Sequence, residues 1–251
     1  VIMARVDSLP EGAKEVLQTG SVIEREFSYA LIKRVKGLPE QELLSYLSVL
    51  RDSELLYERG IYPESSYIFK HALTREAVYD SILVKRRKKL HELVADSIEE
   101  LFKEDIQGYY GLLAEHFIES ENYEKGAEYS RLADKKAEKA ASFPDAISYA
   151  KKRISCLEKL PQTEDVLKKL IDARTILALY MFQLFYFAEA KEAVDPIIEL
   201  AENSGYKKRL AQIYTIIGAY ECYVKEDFFK ASKYLQDAIK ISGEVKDIVS
   251  L

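Results

Sequence analysis

Phe69–His91 reads FKHALTREAVYDSILVKRRKKLH. Its first residue closes a β-like run, Tyr67-Ile68-Phe69, and the rest has the apolar spacing of helix. Leu73–Ile82 forms one helical segment. The five consecutive cations Lys85, Arg86, Arg87, Lys88 and Lys89 follow, and then Leu90, Val94, Ile98 and Leu101 carry a second stripe to Phe102. Cations at a helix N-terminus oppose its dipole. Either the helix therefore runs on unbroken from about Leu83, or the cluster meets an acidic partner. The stretch separates two unlike halves.

Upstream of it the chain reads as short helices and a turn. Ser8-Leu-Pro-Glu is a helix start, with Ala13, Val16 and Leu17 on one face and Gly20 as the stop. A second helix is expected over Glu26–Lys36, with Phe27, Leu31 and Val35 in line and Gly37 as a left-handed terminator. Pro39 opens a third, whose Leu43, Leu47 and Leu50 form the stripe, with Leu44 beside them. The period then changes. Leu55–Glu58 and Tyr67–Phe69, joined through Gly60 and Pro63, read as a two-stranded hairpin that must pack on the helices to be stable.

Downstream the pattern is helical to the end. Tyr110, Leu113, Ala114, Phe117, Gly126 and Ala133 fall at tetratricopeptide spacing, and Asn122–Lys125 is a turn into a second helix. The logic recurs around Ala146, with Leu177, Ala178, Met181 and Ala190, and with Ile217, Gly218, Ala231, Leu235 and Ala238. The match is degenerate: Trp is absent throughout, Ser130 replaces an aromatic, and the last unit has one extra residue. The expected fold is mainly α: a winged-helix-like module with a small β-hairpin over residues 1–83, linking helices over 84–108, and a TPR-like superhelix over 109–251 that continues beyond 251. The chain reads as a piece of a longer cytoplasmic protein.

Charge narrows the partners. Residues 1–103 hold 16 basic and 17 acidic side chains, and residues 104–251 hold 21 and 25. Neither half has the basic excess of a nucleic-acid binder. No apolar run approaches the roughly 20 residues of a membrane span. Cys156 and Cys222, far apart in helical segments, read as two thiols rather than a disulfide or a metal site.

The motif Phe69-Lys70-His71-Ala72-Leu73-Thr74-Arg75-Glu76-Ala77-Val78-Tyr79-Asp80-Ser81-Ile82-Leu83, with Arg87 and Leu90-His91, resembles a segment of the signal-transduction ATPases with numerous domains. In these large bacterial proteins it joins the regulatory ATPase to helical repeats. Leu9-Pro10, Gly20–Ile23, Arg25-Glu26-Phe27 and Leu132–Ala137 match as well, so the resemblance covers nearly the whole chain. It is strongest to members carrying a class III adenylate/guanylate cyclase domain. Glu24 stands where many relatives have Gly, which puts the turn before Phe27 in question.

The resemblance implies that residues 1–83 are the winged-helix end of an ATPase whose nucleotide-binding core lies upstream. It also implies that His71 senses the bound diphosphate, that ATP/ADP and Mg belong to the parent protein, and that the upstream ATPase and cyclase domains are partners in cis. The fragment itself is expected to be non-catalytic and to hold no cofactor. It has no G-x-x-x-x-G-K-[ST] loop, no G-x-S-x-G elbow and no H-E-x-x-H pair; His71, His91 and His116 lie 20 and 25 residues apart. His116, on a repeat helix, reads as a groove or surface residue.

The leading reading is a regulatory and protein-interaction segment whose repeat groove takes a protein or peptide. Tyr110, Tyr149, Tyr180, Tyr214 and Tyr220 are its candidate groove aromatics, and Lys85–Lys89 a candidate surface. The alternative is part of a DNA-binding transcriptional regulator of the same ATPase class, with Pro39–Asp52 as recognition helix; that helix carries one Arg among several acids, a poor match to phosphate. An independent enzyme is the third and weakest reading.

Overall fold

Leu43, Leu47 and Leu50 recur at helical spacing, and all three are buried. They anchor α4 (Glu40–Asp52) against α2 (Glu11–Ile23) in a computed structural model that describes residues 2–245. The fold is mainly helical, with one small antiparallel sheet followed by helical repeats. Two units divide between Asn122 and Tyr123.

In the first unit, α1 (Ile2–Asp7) precedes α2, and α2 packs on α3 (Tyr29–Lys36), α4, α5 (Ala72–Asp80) and α6 (Val84–Leu101). Gly20 does not end α2. It lies inside the helix, where a Cβ would come within 2.6 Å of the Phe27 ring, so it is a close-packing position rather than a stop. Nor does the second helix begin at Glu26. Glu26–Ser28 is a strand, β1, and Ser28 caps α3 by accepting from the Leu31 amide at 3.2 Å. Gly37 closes α3 in the left-handed region, as expected.

The sheet therefore has three strands, not two. Its order is β1, β3 (Ser66–Phe69), β2 (Leu56–Arg59), with Phe27 opposite Tyr67 and Leu56 opposite Phe69. Three residues starting on Phe27's helical stripe were too short a run to reveal the alternation of a strand. Glu24 does not disturb the turn: its backbone is extended, φ −171° and ψ −175°, a conformation open to any residue.

Helix α5 ends at Asp80 and α6 begins at Val84, so the cations stand in the first two turns of a new helix. The face that α6 buries carries His91, Val94, Ala95, Ser97 and Ile98, while Leu101 is 40% exposed and falls off it. A short 3-10 segment, Lys103–Tyr109, leads to α7 (Tyr110–Glu119), which packs on α6.

The second unit is built of helical hairpins. α8 (Tyr123–Lys139) pairs with α9 (Phe143–Lys159), α10 (Glu164–Gln183) with α11 (Phe187–Val194), and α13 (Lys207–Tyr223) with α14 (Phe228–Val245). A short α12 (Ile198–Asn203) leads into α13. Within this unit α8 is the first arm of a hairpin.

One local signature recurs four times. A left-handed non-glycine residue is followed by one residue, an aromatic, two more residues and a small buried one. The instances are Glu121-Tyr123-Gly126, Ala141-Phe143-Ala146, Phe185-Phe187-Ala190 and Glu226-Phe228-Ala231. In the first three, the amide after the left-handed residue donates five residues back: Asn122 to Phe117, Ser142 to Ala137 and Tyr186 to Met181, at 2.9 to 3.0 Å. In the fourth, Lys225, ahead of Glu226, makes that bond to Tyr220, and Asp227 caps the Lys230 amide. The small residues let paired helices approach closely.

Candidate functional site

Asp165, Lys169, Asp172, Ile176, Leu179 and Gln183 recur every three or four residues and define one face of α10. Two cavities open along it. The first, about 680 Å³, lies among α8, α9 and α10 and is lined by Arg131, Arg153, Leu157, Val166, Lys169 and Asp172, among others. The second, about 490 Å³, is lined by Phe143, Ile176, Leu179, Tyr180, Gln212 and Ile216, among others. The face therefore passes from a charged end to an apolar one.

Most charges at the polar end are paired. Arg131 donates to both oxygens of Glu128, at 3.0 and 2.6 Å. Lys169 meets Asp165 at 2.6 Å, and Asp172 accepts from Tyr206 at 3.0 Å and from Arg209. Two buried groups sit behind them. Burial pushes the Asp134 carboxyl up to about 7, against the pull of Arg153 and Arg131. Burial likewise lowers the Arg153 guanidinium, against the pull of Asp134 and Asp172.

The five tyrosines are dispersed. Tyr180 is buried, lines the apolar cavity and donates to Glu138 at 3.3 Å. Tyr149 lies on α9 under the Lys152 ammonium, and Tyr214 on α13 donates to Glu202 at 2.8 Å and meets the Tyr234 ring. Tyr220 is flanked by Lys191 and Lys225, while Tyr110 opens α7 in the first unit. A separate aromatic surface, with Phe185 78% and Phe229 84% exposed, gathers at the turns, where Phe187 stacks on Tyr223 at 4.8 Å.

In the first unit, His71 is exposed at the start of α5; its side chain caps no amide. The basic run is partly neutralised within its own unit: Arg86 bonds Glu15 at 2.9 Å, Lys88 meets Glu121 at 2.6 Å, and Arg87 lies 3.8 Å from Asp80 with its guanidinium over the Tyr79 ring. Lys85 and Lys89 are exposed.

Sequence spacing concealed a contact between two histidines. His91 on α6 and His116 on α7 meet Nδ1 to Nδ1 at 2.8 Å, and Tyr79 Oη lies 2.9 Å from His91 Nε2. Both rings are buried, so His116 is not a surface residue. Burial, with Arg87 and Arg75 nearby, lowers His91 to about 4; burial and His91 lower His116 to about 3. The neutral pair shares one proton across the contact. His116 Nε2 has no hydrogen-bond partner. Nothing in the 25-residue spacing signals this; it follows from α6 and α7 packing as neighbours.

Among the described residues no group of three His, Cys, Asp or Glu side chains is placed to hold a metal ion, and no helix is long and apolar enough to cross a membrane. Cys156 and Cys222 form no disulfide. Sequence reading passed over Arg153 and Asp134. The available signal was a charge on an apolar stripe: Ala146, Ala150, Arg153, Ile154 and Leu157 on α9, and Ala127, Ser130, Asp134 and Ala137 on α8.

No family model and no curated protein matches the sequence. Among solved structures, the apo form of RapI is similar at 16% identity with a TM-score of 0.47, over 86% of this chain and 53% of that one. This chain thus spans about half the length of RapI. At that level the likeness adds nothing to what the helix pairings themselves show.

Proposed function

We propose that the chain is a non-catalytic regulatory and protein-interaction segment whose helical repeats hold a peptide along the exposed face of α10. The observation that carries this reading is that one periodic stripe, Asp165 to Gln183, borders both a charged and an apolar cavity. A peptide laid along such a face gains apolar burial at one end and charge pairing at the other. The test is selection from a phage-displayed peptide library against the chain, with Leu179→Arg as control. Enriched peptides that lose binding to the variant support the groove. No enrichment, or peptides indifferent to Leu179→Arg, removes it.

The first unit is read as the winged-helix end of a multidomain signalling ATPase, most like those with class III cyclase domains. Three short helices around a small three-stranded sheet support that reading. In the parent protein the exposed His71 would donate to a diphosphate held by the upstream core. The chain itself has no phosphate-binding loop, so ATP and Mg would be bound upstream. The reading frame upstream of Val1 tests this: a phosphate-binding loop preceded by a cyclase-type aspartate pair supports it, and a frame without an ATPase sinks it. The DNA-binding alternative is disfavoured by α4, which holds Glu40, Glu42 and Asp52 against the single cation Arg51.

A further inference from the structure

We propose that the charged cavity among α8, α9 and α10 is a carboxylate pocket, in which the Arg153 guanidinium takes an acidic side chain of the bound peptide. This rests on the groove reading and adds the chemistry of one position in it.

Arg153 is 7% exposed and lines the cavity, yet among the described residues no hydrogen bond or ion pair reaches its guanidinium. No Arg153 nitrogen is among the fully buried unpartnered atoms, so its N–H groups face the open cavity, where a carboxylate can replace water with charge-assisted bonds. Three of the other charges around it are engaged. Arg131 is held by Glu128, Lys169 by Asp165, and Asp172 by Arg209 and Tyr206. Asp134, 1% exposed on α8, acts on Arg153 through space, but no hydrogen bond joins them and its Oδ2 has no partner.

The shape of the pocket selects the ligand. Its volume of about 680 Å³ exceeds a glutamate side chain, and Ala127, Leu157, Leu160 and Val166 supply apolar wall for the methylenes. One unpaired guanidinium matches one planar carboxylate, bonded by two parallel N–H groups at about 2.8 Å. A phosphate dianion asks for further unpaired cations; Arg131 and Lys169 are already neutralised, and Glu124 adds a negative charge to the lining. The chain's net charge of −5 opposes non-specific capture of an acidic peptide, so binding would report the local pocket.

The experiment uses the whole chain and fluorescein-labelled hexaglutamate, read by anisotropy at fixed ionic strength. Hexaglutamine is the control and inorganic phosphate the competitor. The expected result is saturable binding of hexaglutamate alone, weakened at least tenfold by Arg153→Gln and resistant to equimolar phosphate. Because Arg153 is buried, the unmodified protein supplies a second readout: the Arg153 Nε resonance should move and saturate as hexaglutamate is added. Binding unaffected by Arg153→Gln, a stationary Nε resonance, no binding at all, or displacement by equimolar phosphate overturns the pocket. Library peptides that need Leu179 but tolerate Arg153→Gln would overturn the pocket and leave the groove standing.

Discussion

Gly20 and Ala141 show what single backbone positions decide. The Phe27 ring occupies the space of a Cβ at Gly20, so Gly20→Val forces overpacking and should cost about 1–3 kcal/mol. Chemical denaturation would show this as a lower midpoint. Ala141 sits at φ 55° in the turn between α8 and α9. A left-handed Cβ costs roughly 1–2 kcal/mol, and glycine's extra chain entropy returns about half of that, so Ala141→Gly should stabilise by about 0.5–1 kcal/mol. A raised Tm checks it. These positions also mark the limit of reading from sequence. Gly20 has the same letter whether it ends a helix or admits a ring, and only the tertiary neighbour distinguishes the two.

At the scale of elements, the amphipathic stripes were legible and the contacts between them were not. Leu43, Leu47 and Leu50 identified α4 and its buried face directly. β1 was hidden because three residues carry no period, and the His91–His116 contact because it joins two helices. That contact predicts a pH dependence. Both histidines have folded-state values, about 4 and about 3, below the ordinary 6.5. The unfolded chain therefore binds protons first. The neutral pair's contribution is complete above pH 6.5 and is lost as pH falls toward 4 and then 3, by up to about 1.4 kcal/mol per pH unit for each proton.

The charged and titratable groups around the pair are Arg75, Glu76, Tyr79 and Asp80 on or next to α5, Arg87 on α6 and Glu119 on α7. Asp134 works in the opposite sense. Its raised value penalises the fold above about pH 7, and the penalty fades as pH falls toward 3.8. The measurable quantity is thus a difference: urea unfolding of the wild type against His91→Gln, from pH 7 to 4. The wild type should lose more stability over that range. Parallel pH profiles would show that the pair does not titrate with folding.

For the molecule as a whole, the sequence announced repeats but not the cavities between them. The candidate tyrosines are dispersed: Tyr180 lines the apolar cavity, and Tyr214 bonds Glu202. The legible signal for the proposed binding face is the alternation of charge and aliphatic residues along α10, and the buried Arg153 behind it. If that face binds peptide, Leu179→Arg should abolish capture of selected peptides while leaving the far-ultraviolet circular dichroism and Tm close to wild type, since Leu179 is only partly buried.

The most direct measurement is hydrogen–deuterium exchange of the chain with and without a library-selected peptide. Protection is predicted over residues 164–183, with accompanying protection in residues 207–223 beside the apolar cavity. Protection confined to the first unit, or to the exposed aromatics at the hairpin turns, would contradict the account.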